Sequence, residues 1–405
     1  MNELNDNVVS SEAVADPHTF FRRLREKSPI HWSERHHAWI VTRYSDVLTG
    51  MGHDKLSTAN MKAQEERLSK EKRALFAPAA KLLEAWMIFR DPPEHTKLRS
   101  PVSSAFKARS VASLTGMLEE RVDELLENMA GKGKCSLIRE LAFPLPADAI
   151  AILLGVPSDR REDFRTWSRM IGGLVIGKLE RDDVWDRALE AEKKFSDLFG
   201  SLISRYEQDP EENLISELIR VRNAGEHLDP DQMIGACTLL LFAGHETTAN
   251  LIASGTLALL KNPAQLERLR ADPTLIDSAV EEMLRYDGPS KVTVRRVRDS
   301  FLFEGMRFEK GQPVFLSTAG ANRDPEEFID PDSFDIGREP NRHLGFGWGR
   351  HFCLGAQLAR LETKIAITRL ISRFPRLKLA PQDLAWEPTV LGRALKGLEV
   401  LPGDS

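Results

Sequence analysis

The sequence predicts a mainly α-helical protein with a minor β component. Most of the chain repeats its apolar residues at helical spacing, and the stretch Pro230–Leu260 is almost continuously apolar. Short runs of β-forming residues gather instead between Val292 and Leu316. No stretch rich in Gly, Ser or Pro interrupts the 405 residues. Because a chain without a linker favours one large domain, we predict a single domain over residues 1–405.

Helix boundaries are predicted from the ends of each apolar repeat. Asp91 can cap a helix that follows it, since Pro92 and Pro93 suit a first helical turn. The Pro230–Leu260 stretch ends at Asn262-Pro263 and is apolar on all sides, which is typical of a helix buried at the centre of a large domain. The other predicted helices are Pro17–Lys27, one from Tyr44, Val111–Met129, Pro146–Leu154, Asp159–Ile176, Trp185–Gln208, Pro273–Arg285 and Ala356–Arg373.

The β component is predicted as short strands separated by glycine and charged turns. The C-terminal stretch Leu377–Leu401 is also strand-like. The individual strands are predicted at His37–Thr42, Val292–Val297, Phe301–Phe303, Met306–Phe308 and Val314–Leu316.

Composition excludes several classes of protein. The formal net charge is −5, without the broad basic excess of a nucleic-acid-binding protein. The three cysteines, Cys135, Cys237 and Cys353, are far apart and odd in number, which argues against a disulfide framework or a cysteine-cluster metal site and favours a reducing cytoplasm. The segment Met1–Asp16 has no apolar signal region, and the apolar run Ile234–Gly244 is too short to span a bilayer. We therefore expect a cytoplasmic protein without a membrane anchor, and a monomer by default.

The segment Phe346-Gly-Trp-Gly-Arg-His-Phe-Cys-Leu-Gly355 carries the strongest functional signal. Glycines permit tight turns and close approach of the backbone to a flat ligand. Loop amides and a helix N-terminus favour the thiolate form of a cysteine. A lone cysteine beside a glycine turn is usually structural, but chance matches to this full pattern are very rare. The segment resembles the heme-binding loop of cytochrome P450 enzymes. The resemblance implies the P450 fold, with small β-sheets around a buried heme b, and Cys353 as the axial thiolate ligand of the iron.

A polar run, Ala243-Gly244-His245-Glu246-Thr247-Thr248, interrupts the predicted central helix. Burying a carboxylate is costly unless it has a partner or a role, and the small Ala-Gly pair leaves room for a ligand. The alternative is a helix kink in which the Glu and Thr side chains have their hydrogen bonds satisfied within the protein. In the family that this chain resembles, the run lies against the cofactor, so Ala243 and Gly244 become cofactor-binding residues. Glu246 and Thr247 then form the acid–alcohol couple that delivers protons for dioxygen activation.

Glu282-Met-Leu-Arg285 places a carboxylate and a guanidinium at i,i+3 on one helix face. Such pairs are common on surfaces, but the resemblance implies a buried structural pair without a catalytic role. Many relatives complete it with a later arginine, where this chain has Ser333. We hypothesise that Arg338 takes that part.

Heme carries two propionates, which need cationic or donor partners. His95 and Arg99 are i,i+4 on the predicted helix after Asp91, and the resemblance implies that both bind propionate. It implies the same for His351 and for one of Arg295 and Arg296. Alternation along a strand separates these two arginines, and the spacing to Gly305 favours Arg296. Each basic residue taken alone is more often a solvated surface charge.

By resemblance, the function is that of a heme-thiolate monooxygenase that uses dioxygen and an apolar small molecule. Because the chain has no Gly-x-Gly-x-x-Gly after a strand, electrons must come from a separate ferredoxin or flavodoxin with an NAD(P)H-dependent reductase. The alternatives are a peroxygenase driven by hydrogen peroxide and a non-catalytic heme or small-molecule binding protein.

Two surfaces of the protein are predicted by the same resemblance. The basic residues expected near the cysteine, which would meet an acidic electron carrier, are Arg99, Arg109, Arg350 and Arg360. The segments expected to line an apolar substrate pocket are Ser57–Phe89, Met170–Lys178, Leu240–Ala243, Lys291–Val294 and Val390–Leu391.

Overall fold

The computed structural model describes residues 4–59, 69–106, 111, 113–160, 163, 166, 167, 170, 182–225 and 228–403. Arg109 and most of the predicted helix Asp159–Ile176 lie outside the described residues, as does Met170–Lys178 apart from Met170 itself.

Helices dominate the described residues, as predicted. The bounds Pro17–Lys27 and Ala356–Arg373 are confirmed, and the first of these helices is capped by Asp16, whose carboxylate accepts the Thr19 amide at 3.1 Å. The α-helices are Ser11–Ala15, Pro17–Lys27, Tyr44–Gly52, Lys70–Glu84, Glu94–Ala105, Thr115–Glu127, Pro144–Leu153, Asp182–Gln208, Leu214–Asn223, Pro230–Lys261, Pro263–Ala271, Ile276–Asp287, Thr318–Ala321 and Ala356–Arg373. Single 3₁₀ turns cover Met87–Phe89, Ser158–Arg160, Pro273–Leu275 and Gly349–His351, and a π turn covers Ile138–Ala142.

The helix predicted after Asp91 begins later than expected. Its first residue is Glu94 and its N-cap is Pro93, without a side-chain cap, so the cap predicted at Asp91 is wrong. The Asp91 carboxylate accepts the Ser57 hydroxyl and the Thr58 amide instead. A carboxylate bonded to an earlier loop ties that loop to the start of the helix.

In the part of the chain that the structure describes, ten short strands form three sheets. The largest has the order β1-β2-β8-β5-β3, with β2 and β8 parallel and β5 and β8 antiparallel. β6 and β7 form a hairpin through Glu304 and Gly305, both of positive φ (45° and 78°), which is the geometry of a tight two-residue turn. The strands are β1 Ile30–Ser33, β2 Ala38–Val41, β3 Leu56–Ser57, β4 Cys135–Ser136, β5 Val292–Val297, β6 Phe301–Phe303, β7 Met306–Phe308, β8 Pro313–Ser317, β9 Lys378–Leu379 and β10 Glu399–Leu401.

The chain divides into two compact units, each made of separate stretches. The first comprises residues 1–56, 116–145 and 247–405, and the second comprises residues 57–115 and 146–246. The chain therefore passes from one unit to the other four times. The single domain predicted from the absence of a linker stays a prediction.

The first unit has a helical core and a sheet core. In the helical core, Met283 packs with Ile367 and Ile371. Gly255 lets the helices approach, because an added Cβ would lie 2.5 Å from the Met283 sulfur. In the sheet core, Trp39 stacks on Phe308 with ring centroids 4.5 Å apart. These two cores fix the strands and helices that carry the cysteine loop.

The second unit is held by aromatic packing. Trp86 is wholly buried, and the centre of its ring lies 5.2 Å from that of Phe242. Ala85 packs directly on Gly235, where an added Cβ would lie 2.3 Å from the Ala85 Cβ. The Tyr206 hydroxyl donates to the Gly155 carbonyl at 2.6 Å. No helix within the described ranges has the length and apolar character needed to cross a membrane.

Candidate active site

Cys353 lies in a loop that glycines shape. Gly347 and Gly349 have φ of 70° and 72°, values that side chains disfavour. The Cys353 amide donates to the Phe346 carbonyl at 2.9 Å, which closes the loop. Cys353 is half-buried and precedes the helix Ala356–Arg373, called here the C-terminal helix, by three residues. Its sulfur therefore lies before the positive end of a helix, where a thiolate is favoured.

Arg360, one turn into the C-terminal helix, adds positive charge beside this loop. Its guanidinium lies 4.6 Å from the centre of the Phe346 ring and donates to Glu281 at 2.6 and 2.7 Å. The pKa of Arg360 is raised, first by the Glu281 hydrogen bonds and further by the negative charge of Cys353. Because the attraction is mutual, Arg360 also favours the thiolate form of Cys353.

The donor set fits an iron that a porphyrin already holds. Among the described residues no group of three His, Cys, Asp or Glu side chains could enclose a metal ion. A single thiolate is what heme iron requires from the protein on one side. The space beside Gly347 is open, because an added Cβ would have only the His351 carbonyl within 4 Å, at 3.9 Å. Phe352, beside the cysteine, is 39% exposed. The loop thus offers an open, apolar surface around one sulfur donor.

The helix Pro230–Lys261, called here the central helix, has one open face. Between residues 233 and 260 only Ala243, Glu246 and Thr247 are exposed, and all the other positions are buried or half-buried. Spacings of three and four residues place the three on one side of the helix. The polar run predicted from the sequence therefore presents its acid and its alcohol on the same face.

The other residues of the polar run have packing roles. His245 is 2% exposed and its Nδ1 lies 3.0 Å from the Leu241 carbonyl. Thr248 is 3% exposed, in agreement with a structural part. A Cβ added to Gly244 would lie 3.2 Å from Cδ1 of Ile150, so close helix packing by itself requires a small residue there. The room expected beside the Ala-Gly pair is thus found at Ala243, whereas Ile150 packs against Gly244.

The predicted propionate ligands lie on three elements. His95 is 3% exposed and Arg99 is half-buried, one turn apart on Glu94–Ala105. His351 is half-buried at the end of the 3₁₀ turn before Cys353. Their assignment to propionates stays a prediction.

The two strand arginines differ in environment. Arg296 is half-buried, and its Nη1 donates to the Gly311 carbonyl in the turn before β8. Arg295 is 6% exposed, and its Nη1 donates to the Thr293 hydroxyl at 2.8 Å and to the Val294 carbonyl at 3.1 Å. A guanidinium this buried suits an anionic partner, so the burial favours Arg295, whereas the spacing favours Arg296.

The structure confirms the Glu282–Arg285 pair and the part assigned to Arg338. Arg285 donates to both carboxylate oxygens of Glu282, at 2.7 and 2.8 Å, and both side chains are 0% exposed. Arg338 lies 3.2 Å from the same carboxylate. Ser333 contributes only its carbonyl, which accepts from Arg285 at 2.8 Å.

Two residues of the predicted basic surface have carboxylate partners, and the surface itself stays a prediction. Arg350 is paired with Asp54, and Arg360 with Glu281, so these two cations are already balanced by carboxylates. Sequence reasoning missed Glu281, which also lies 3.0 Å from Nε2 of His343. Burial alone would raise the pKa of Glu281, but the hydrogen bonds and charges of Arg360 and His343 lower it to about 2. Its partners are 62 and 79 residues away, so no local pattern could reveal them.

Comparison with known proteins finds relatives that match almost the whole chain. A family model described as Cytochrome P450 matches residues 17–389. The chain is 39% identical to Cytochrome P450 107B1 of Saccharopolyspora erythraea over 411 residues, 99% of each chain. Among solved structures it resembles P450BioI in complex with acyl carrier protein ligated to hexadec-9Z-enoic acid, with a TM-score of 0.89 and 34% identity over 96% of this chain and 99% of that one. It also resembles myxobacterial CYP267B1 in complex with myristic acid, with a TM-score of 0.88 and 35% identity over 98% of this chain and 99% of that one.

Proposed function

Because the chain belongs to the cytochrome P450 family of heme b monooxygenases, we propose that it inserts one atom of dioxygen into an apolar small molecule, with electrons from a separate ferredoxin or flavodoxin. The observation that carries this proposal is the exposure of Ala243, Glu246 and Thr247 on an otherwise covered helix. A protein that only held heme would have no need of an acid and an alcohol on that face. The chemistry that the heme supplies, when bound, is the activation of dioxygen.

The residues of this chain then have separate tasks. Cys353 would hold the iron as its thiolate ligand, while His95, Arg99 and His351 would hold the propionates together with a strand arginine. The spacing favours Arg296, but of the two strand arginines we select Arg295, because it is 6% exposed and is the more deeply buried of the two. Proper seating of the cofactor orients it for the reaction without entering the chemistry.

Glu246 and Thr247 would move protons. The exposed carboxyl of Glu246 can exchange a proton with water, and the Thr247 hydroxyl can pass it on from the adjacent position of the same face. Ala243 on that face would contact the cofactor or the substrate with a small apolar side chain, and Gly244, packed on Ile150, would set the depth of the helix.

The substrate is proposed to be apolar, such as a fatty acid, terpenoid, steroid or macrolide precursor. Two structural relatives were solved with fatty acyl ligands, hexadec-9Z-enoic acid on acyl carrier protein and myristic acid. Of the segment Ser57–Phe89, also expected to line the pocket, residues 60–68 lie outside the described residues. Three other segments expected to line it are rich in Leu and Val, namely Leu240–Ala243, Lys291–Val294 and Val390–Leu391. We further propose a cytoplasmic, monomeric enzyme, in keeping with three scattered cysteines that form no disulfide.

The test begins with the ferrous protein under carbon monoxide. The native chain should give the strongly red-shifted Soret band of thiolate ligation, Cys353→Ser should lose it, and Cys135→Ser, at a buried cysteine, should keep it. A band typical of histidine ligation in the native chain would overturn the assignment of Cys353. Turnover of a substrate identified by spectral screening should then require ferredoxin, reductase and NAD(P)H.

The runner-up is a peroxygenase driven by hydrogen peroxide. The exposed Glu246 and Thr247 argue against it, because a peroxide-driven reaction already has both oxygen protons that such a pair would supply. Turnover with peroxide alone that equals the ferredoxin-supported rate, and that Thr247→Ala leaves unchanged, would replace our proposal with this one.

A further inference from the structure

Lys291 is a buried lysine at the start of β5. It is 3% exposed, and its backbone is fixed on both sides, with its amide donating to the Leu391 carbonyl at 2.8 Å and its carbonyl accepting from Ala319 at 3.1 Å. Lysine is rarely buried to this extent unless it is paired. The position of its side chain is therefore set by the fold and calls for a partner.

The partner of the Lys291 ammonium is neutral. Nζ donates to the Thr389 carbonyl at 2.7 Å, and among the described residues no carboxylate forms an ion pair with it. The nearby Asp287 carboxylate is already bonded to Arg393 at 3.0 Å and to His18 at 3.1 Å. The cluster of Asp287, Arg393 and Lys291 thus contains two cations and one anion, and the unbalanced charge is on Lys291.

This charge persists near neutral pH. Burial, followed by the charge of Arg393, lowers the pKa of Lys291 to about 8, with Asp287 acting in the opposite direction. The ammonium form therefore remains in the majority at pH 7, although burial without a counter-ion is unfavourable. An anion brought to Nζ would relieve that cost, and it would gain a charge-assisted hydrogen bond in exchange for the bond to a carbonyl.

Lys291 lies next to β5, the strand that carries Arg295, the proposed propionate partner. It directly precedes the strand and stands four residues before Arg295. Four residues of extended chain span about 13 Å, which is the scale of a substrate reaching away from the cofactor. Leu391, bonded to the Lys291 amide, belongs to another segment expected to line the pocket.

We propose that Lys291 binds the carboxylate of a long-chain acidic substrate and so determines which end of the molecule lies away from the heme. The inference rests on the proposed function and narrows its substrate class to free carboxylic acids. On binding, Nζ turns from the Thr389 carbonyl to the substrate carboxylate, and the apolar chain extends toward the cofactor.

The experiment titrates the ferric holoenzyme with myristic acid and with methyl myristate, and follows both the Soret shift and the heat of binding by calorimetry. The native chain should bind the acid more tightly than the ester. Lys291→Met should weaken binding of the acid by about tenfold to hundredfold and leave the ester unchanged, because a hydrogen bond between charged groups is lost. Lys291→Arg, which keeps the charge, should retain part of the preference.

Lys378→Met serves as the matched control, since Lys378 is exposed on β9. Equal affinities of the native chain for acid and ester, or unchanged acid binding by Lys291→Met, would overturn the proposal. The carbon monoxide band is recorded for every variant, so that loss of heme-thiolate ligation, which would count against the proposed function, is separated from loss of carboxylate recognition.

Discussion

Glu282 and Glu246 are both carboxylates within helices, but their environments are opposite. Glu282 is 0% exposed, and its two oxygens accept from Arg285, Arg338, Asn341 and the Asp335 amide. Glu246 lies on the exposed face of the central helix. A carboxylate whose hydrogen bonds are all made inside the protein stabilises the fold, whereas one that faces an opening is available for chemistry.

The first way to break this comparison is to remove Arg285. Arg285→Met would leave Glu282 buried with part of its charge uncompensated, and the expected loss is about 3–5 kcal/mol in the free energy of unfolding. Urea denaturation followed by circular dichroism measures it. Arg285→Lys keeps the charge but not the bidentate geometry, so its free energy of unfolding should lie between those of the native protein and Arg285→Met. A loss below about 1 kcal/mol would show that the pair does not support the fold.

The second test addresses the open face. Thr247→Ala and Glu246→Gln should each lower ferredoxin-supported turnover by about tenfold to hundredfold, because each removes a proton-transfer group. Both side chains are exposed, so the stability of these variants should change by much less than that of Arg285→Met. Thr248→Ala is the matched control at a buried threonine: it should lower stability and largely preserve turnover. The reverse outcome would exchange the roles of the two threonines.

The third test concerns Glu281, the residue before Glu282, and asks whether its charge stabilises the fold. Because the folded-state pKa of Glu281, about 2, lies below its ordinary value of 4.5, the carboxylate contributes stability above pH 4.5 and loses it as the pH falls toward 2. Glu281→Gln should therefore destabilise by about 1–3 kcal/mol at pH 7 and by progressively less below pH 4.5. The free energies of unfolding of the native chain and of Glu281→Gln are measured between pH 7 and pH 3. The difference between them should become smaller as the pH falls. A gap independent of pH would mean that packing, not charge, stabilises this site.

Local patterns predicted the elements that local chemistry determines. The bounds of β5, β6 and β7 are as expected from the alternation, since the charged residues and Gly305 between them can only form turns. The central helix was predicted from its continuous apolar character to within one residue. Arg338 was found because its position follows a family pattern that compensates for Ser333.

Features that depend on distant residues were not predictable. β1 has the alternation Ile-His-Trp-Ser but is only four residues long, too short to predict a strand by itself, and its pairing with β2 makes it one. The charged helix Lys70–Glu84 has no strong apolar repeat of its own and depends on packing within the second unit. Glu281 and Lys291 are ordinary charged residues in the sequence, and only the fold shows that one is held by two partners and the other meets a backbone carbonyl. Burial and spacing favour different strand arginines, Arg295 and Arg296 respectively, and the sequence reports only the spacing.

The narrow opening on the central helix limits how this enzyme can be altered by evolution or by design. Every other position from 233 to 260 is covered at least in part, so a substitution there has to fit among neighbouring side chains, whereas Ala243, Glu246 and Thr247 are exposed and leave more room. Two of these are needed for proton delivery if the proposed function holds. New substrate preferences should therefore arise on this helix more readily through residue 243 than through its buried positions, and selection for other substrates should otherwise favour substitutions in the loops and strand ends.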